Sequence, residues 1–132
     1  MDTEKILETS RRSLEGALSF PEVVKILLEA DVEYYHLDYV ALQQTCYSAD
    51  GRTVVAPFAL EALPPVAAEL TVDELKGAIP DSQRHGQKFG DFSRRAMQAG
   101  VQGYHVFLRG QRVVYLGRKG DQHVEWFPGA RP

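Results

Sequence analysis

Cysteine is nearly absent from this 132-residue chain, which contains only Cys46. A single cysteine excludes an intramolecular disulfide framework and is typical of a reducing compartment. No apolar run approaches the length that a membrane-spanning helix needs. The first residues are acidic and contain no apolar segment, so we expect no secretory signal, no membrane partner and a cytoplasmic location.

Length and composition are ordinary, with 44% hydrophobic and 25% charged residues. A chain of this length can bury a core without a structural metal or disulfides. We therefore predict one domain over residues 1–132.

The net charge of −3 hides an uneven distribution along the chain. Residues 1–79 carry 14 acidic and 6 basic side chains, whereas residues 80–120 carry 2 acidic and 8 basic ones. Such polarity can steer an acidic partner or favour head-to-tail pairing of two copies. We favour the simpler interpretation, in which the acidic and basic halves are neighbours on the solvated surface of one compact domain and attract each other there.

One pattern occurs twice, as ADVEYYHL over residues 30–37 and AGVQGYHV over residues 99–106. The offset of 69 residues also relates Ser13 to Ser82 and Phe20 to Phe89. The period is too long, and the copies too few, for a solenoid or propeller. The pattern predicts two pseudo-repeated ααβ(β)β halves, residues 3–56 and 71–127, joined by a connector over residues 57–70.

Apolar periodicity, caps and turn residues predict four helices and six strands. Thr3 and Ser19 are predicted N-caps, Thr71 and Glu74 form a predicted capping box, and Pro80 should end the third helix. The predicted helices cover residues 3–17, 20–30, 71–79 and 88–98, and the predicted strands cover residues 33–42, 44–48, 53–56, 103–109, 112–116 and 122–127.

Alternation along the first predicted strand separates two faces of a sheet. Tyr35, Leu37 and Tyr39 share one face, with Tyr34, His36, Asp38 and Val40 on the other. We expect Tyr35 and Tyr104 to anchor the core. The element order predicts an α+β fold, an antiparallel sheet with helices on one face.

The segments FPEVV (20–24), EADVEYYHLD (29–38), AGVQGYHV (99–106), VVYLGRKG (113–120) and EWFP (125–128) carry a family resemblance. Across nearly its whole length the chain resembles the YbcV/YdfO-type family, domain of unknown function 1398. These are small bacterial and prophage-encoded proteins, sometimes labelled phage envelope proteins. The resemblance implies an α+β fold and supplies no activity, cofactor or catalytic residue. One departure is Asp31, where relatives tend to have the glycine that Gly100 provides in the second half.

His36, Asp38 and His105 are the candidate residues for metal binding or general-base catalysis. All three are predicted on the sheet face opposite the core tyrosines. His123 and Glu125 share one face of the last strand and complete a His/Asp/His/Glu set if the strands align. The spacings match no recognised metal motif, so we favour ordinary polar strand residues and predict no cofactor.

Basic residues gather near the turns of the last three strands: Arg109, Arg112, Arg118 and Lys119. Interleaved aromatic residues make this region a candidate for binding single-stranded nucleic acid. The acidic total and a sequence pI near 5.8 argue against a dedicated nucleic-acid binder. Trp126 is a further candidate, because an exposed aromatic side chain at a sheet end can anchor self-association.

Nucleophilic catalysis is not indicated. Cys46 lies within a predicted strand without a visible base, so we interpret it as a small buried residue. Ser13 and Ser82 lie on helices outside any G-x-S-x-G context and are interpreted as caps or helix contacts.

The sequence as a whole favours a non-enzymatic protein-interaction or self-association module, with an unknown protein or a second copy as partner. Two alternatives stay open. One is a metal-dependent or small-molecule enzyme that uses the His/Asp cluster. The other is weak nucleic-acid binding through the basic second half.

Overall fold

A computed structural model describes residues 1–130, which form an α+β fold, as predicted. Within this range the order is two helices and three strands, followed by two helices and three strands. The helices are α1 (Thr3–Leu14), α2 (Phe20–Glu29), α3 (Val72–Arg84) and α4 (Phe89–Gln98). The strands are β1 (Tyr34–Asp38), β2 (Gln43–Tyr47), β3 (Thr53–Pro57), β4 (Val101–Phe107), β5 (Arg112–Gly117) and β6 (Gln122–Trp126).

The six strands form one antiparallel sheet in the order β3-β2-β1-β4-β5-β6. The first strands of the two halves pair at its centre, where His36 lies opposite His105. Each half then continues outwards as a meander. Descent of the halves from a duplication stays a prediction.

The core lies between the four helices and one face of the sheet. Tyr35 and Tyr104 are only 3% and 6% exposed, which confirms both as core anchors and confirms the strand phase. Burying one large apolar side chain contributes about 1.5–3 kcal/mol. The main contributors from the sheet and the helices are Leu37, Val106, Val113, Ile6, Leu27, Leu75 and Phe92.

The N-terminus of α2 matches its prediction. The Ser19 hydroxyl accepts from the Glu22 N–H, and the Glu22 carboxylate accepts from the Ser19 N–H. Helix α1 differs, because Asp2 rather than Thr3 is its N-cap. It also ends at Leu14, three residues early, and Gly16 follows with φ of 74°.

The third helix corrects two predictions. Thr71 forms no side-chain cap bond, and α3 continues through Pro80 to Arg84. Pro80 has no N–H to donate to the Lys76 carbonyl, and side chains from outside the helix bind the next two carbonyls of this turn. Arg95 donates to the Gly77 carbonyl and Gln87 donates to the Ala78 carbonyl, each at 3.0 Å. These tertiary contacts stabilise a helix that local propensity ends early.

The helices before β1 and β4 are followed by equivalent left-handed residues. Asp31 has φ of 65° and Gly100 has φ of 95°. A Cβ on Gly100 would lie 2.1 Å from the Glu69 carbonyl oxygen. Glycine is therefore required at position 100 by both conformation and space, whereas Asp31 adopts the same conformation at the cost of backbone strain.

Candidate functional site

The face of the sheet away from the helices, called here the open face, has no element over it within residues 1–130. Register places its residues in three rows across the strands. The rows are Thr53, Tyr47, Tyr34, Phe107, Arg112 and Trp126; then Val55, Thr45, His36, His105, Val114 and Val124; then Pro57, Gln43, Asp38, Gly103, Leu116 and Gln122. Among these positions only Arg112 and Asp38 carry a full charge at pH 7.

The first row is a nearly continuous aromatic band. The rings of Tyr34 and Tyr47 stack with centroids 4.7 Å apart, and Phe107 lies 5.8 Å from Tyr34 on its other side. The guanidinium carbon of Arg112 sits 4.4 Å from the centroid of the Trp126 ring. Trp126 thus belongs to the open face, and the charge of Arg112 lies against an aromatic ring.

The imidazoles of His36 and His105 stack at the centre of the second row, 4.3 Å apart and nearly parallel. Burial, and then the neighbouring charge on protonated His36, lowers the pKa of His105. Asp38 does not complete a ligand set with them. Its carboxylate accepts from the backbone N–H groups of Val40 and Ala41, at 2.8 and 2.9 Å, and so fixes the turn after β1.

His123 and Glu125 lie on the other face of the sheet. Their side chains approach to 3.1 Å, and the His123 ring lies beside the buried Tyr115. The strands therefore do not assemble the four-residue His/Asp/His/Glu set. Within residues 1–130 no three His, Cys, Asp or Glu side chains are grouped as metal ligands.

The predicted basic residues are divided between the two ends of the sheet. Arg109 and Arg112 lie at the β4–β5 turn, next to the aromatic row. Arg118 and Lys119 lie at the opposite end, in the β5–β6 turn. There, Arg118 donates to the Val66 carbonyl and Lys119 pairs with Glu69. The aromatic band and the four basic side chains consequently do not form one surface.

Cys46 is fully buried, and burial raises the pKa of its thiol. A neutral, inaccessible thiol is not a nucleophile. Its interpretation as a small core residue is confirmed.

A second feature, a cavity of about 70 Å³, lies between the helices and the covered face of the sheet. It is lined by Ser13 and Ser82, Phe20 and Phe89, and Tyr35 and Tyr104, each pair related by the 69-residue offset. The matched serines are thus cavity residues rather than caps. The recurrence of the same residue type at equivalent positions of both halves is the signal that could have located the cavity from the sequence.

No helix of the described residues is long and apolar enough to cross a membrane. Fold and surface together define a small α+β protein whose sheet is covered by helices on one face and, within the described residues, has no element over the other. Residues 8–124 match the family described as Protein of unknown function (DUF1398), and the chain belongs to that family. No curated protein matches the chain. The YbcV/YdfO and phage-envelope labels stay predictions.

Proposed function

We propose that the protein is a self-association module whose open face packs against the open face of a second copy. The observation that carries this proposal is an uncovered sheet face with an aromatic row and few charges. Aromatic side chains are enriched at the centres of interfaces, and charged ones are depleted. Copies of a nearly neutral face do not repel each other.

The charge distribution selects one orientation for this pairing. A twofold axis parallel to the strands lays β3 of one copy over β6 of its partner. The acidic first half then faces the basic second half in both directions, and the aromatic rows meet. An axis perpendicular to the strands would instead place like-charged halves over each other, which is unfavourable.

The size of the face indicates a weak dimer. Six strands at the usual spacing and five residues per strand give a face of about 29 by 17 Å. That is less than the roughly 800 Å² per partner of a standard interface. We therefore expect a dissociation constant in the micromolar range or weaker, so association has to be measured up to high protein concentration.

The nucleic-acid alternative has less support, because only two of the four predicted basic residues, Arg109 and Arg112, lie beside the aromatic row. The other two, Arg118 and Lys119, lie at the far turn and contact residues 66 and 69. The enzyme alternative has less support as well. One oxygen of the Asp38 carboxylate, Oδ1, accepts from two backbone N–H groups of its own turn, and His123 and Glu125 lie on the other face.

Analytical ultracentrifugation over a concentration series tests the proposal with charge-swap variants. Val55 and Val124 are 50% and 42% exposed, both in the second row. In the proposed dimer each faces the other across the interface. Val55→Glu and Val124→Lys should each weaken association, whereas the double variant should restore it, because each new glutamate meets a lysine of the partner.

Leu7→Lys is the matched control, since Leu7 is 43% exposed on α1, in the helix layer. It should leave the association constant unchanged. A wild-type protein that stays monomeric at millimolar concentration would refute self-association. Failure of the double variant to recover, with both single variants weakened, would refute the proposed axis.

A further inference from the structure

The cavity beneath the sheet has the construction of a binding site for an uncharged ligand. The side chains that line it are apolar or aromatic residues together with serines and glutamines, and none of them carries a charge at pH 7. Burial also raises the pKa of Tyr35, Tyr104 and Tyr115, so their hydroxyls stay neutral. An ion in this position would lose its hydration without gaining a counter-charge, which is strongly unfavourable.

One polar group at the cavity has no hydrogen-bond partner among the described residues. The Nε2 atom of Gln83, on α3, is buried and forms no hydrogen bond with any group of residues 1–130. The neighbouring Gln87 is different, because its Nε2 donates to Ala78 O and Ser82 Oγ, at 3.0 and 2.8 Å. A buried donor without an acceptor costs about 1–3 kcal/mol, so such a group in a native fold calls for a partner.

We propose that the cavity binds a small neutral molecule with an apolar body and one carbonyl oxygen, which accepts a hydrogen bond from Gln83 Nε2. The apolar body contacts Phe20, Phe89 and the other aromatic walls. An engineered cavity of about 150 Å³ takes benzene. By that comparison, the 70 Å³ here has room for about three non-hydrogen atoms of the ligand.

Acetone and acetate are suitable probes, because they have nearly the same shape and differ in charge. We expect acetone to produce saturable shifts of backbone amide resonances around the cavity in ¹H–¹⁵N spectra, and acetate to produce none. Gln83→Met removes the donor and keeps the length of the side chain. It should raise the dissociation constant for acetone roughly fivefold, the factor supplied by a net hydrogen bond of about 1 kcal/mol.

Ser13→Leu places a larger side chain at the cavity wall and should abolish acetone binding. Glu8→Leu, an exposed position on the same helix, is the control and should bind acetone as the wild type does. If Ser13→Leu does not fold, Gln83→Met still decides the role of the amide. Unsaturable shifts, equal shifts with acetone and acetate, or unchanged affinity in Gln83→Met would each overturn the proposal. A crystal soaked in acetone that shows only ordered water in the cavity would overturn it too.

Discussion

At the residue scale, the stacked imidazoles of His36 and His105 are the most distinctive contact of the open face. Their rings lie 4.3 Å apart on neighbouring strands, and the next strand presents the apolar Val114. Among the described residues of this face the carboxylate is that of Asp38, and its Oδ1 binds the backbone N–H groups of its own turn. The pair therefore favours the neutral state of His105.

This geometry predicts a stability loss in mild acid. The pKa of His105 is lower in the folded protein than its ordinary value of 6.5, so the unfolded chain binds the proton first. Stability should be fully present above pH 6.5 and should fall as the pH drops from 6.5 through the folded-state pKa. Urea unfolding at several pH values between 8 and 5.5 measures this slope.

His105→Phe keeps an aromatic ring and removes the titration, so its slope over the same window should be smaller than that of the wild type. The carboxyl groups of Glu22, Asp50 and Asp81 do not confuse the comparison. Hydrogen bonds lower their pKa values below the ordinary acidic range, and they protonate outside the window. Identical slopes in both proteins would contradict the role given to His105.

At the scale of elements, Arg95 is the side chain that joins α4 to α3. It donates to Asp81 Oδ2, Gln87 Oε1 and the Gly77 carbonyl, at 2.8, 2.7 and 3.0 Å. These bonds lie at the turn of α3 that contains Pro80, where the intrahelical ladder lacks one donor. Arg95 does not replace the bond to the Lys76 carbonyl that Pro80 removes; it stabilises this turn by binding the next carbonyl, that of Gly77, and the Asp81 side chain.

Arg95→Met should lower the free energy of unfolding by about 1 kcal/mol, a modest value because the site is partly solvent-exposed. Loss of helical signal by circular dichroism should accompany it, since residues 80–84 lose their tertiary support. Arg84→Met, an exposed arginine in the last turn of α3, is the control and should change stability little. An Arg95→Met protein as stable and helical as the wild type would show that packing alone holds the turn.

At the scale of the whole molecule, the acidic first half and the basic second half meet along the central β1–β4 pair. Residues 1–79 have a net charge of −8 and residues 80–120 of +6. In the proposed dimer these halves face each other across the interface as well. The same charges therefore attract each other within one copy and between two copies, and only the attraction between copies depends on a partner.

Salt should consequently weaken the dimer. Between 50 and 500 mM sodium chloride we expect the dissociation constant to rise several-fold, because screening shortens the range of attraction between exposed charges. The aromatic row should preserve some association at high salt. Sedimentation equilibrium at the two salt concentrations measures both effects. A dissociation constant that falls as salt is added would indicate purely apolar contact and contradict charge-directed pairing.

Sequence patterns predicted the helices and strands well where local chemistry is decisive. The Ser19 N-cap, the alternation around Tyr35 and the turn glycines each act within a few residues, so they can be recognised without the fold. The third helix was mispredicted because Pro80 was expected to end it, whereas side chains of Arg95 and Gln87, both outside the helix, bind carbonyls of the proline turn. Individual candidate residues were foreseeable, but their grouping was not.

By itself, the sequence determined the α+β class, the central tyrosines and the burial of Cys46, because periodicity and side-chain polarity are local properties. Only the tertiary structure decided which candidates meet. Strand register stacked His36 on His105, placed His123 on the covered face and divided the basic turns between the two ends. Packing of the halves also formed the cavity and left Gln83 Nε2 without a hydrogen-bond partner among residues 1–130. These features depend on distances between segments far apart in the chain, which no local pattern encodes.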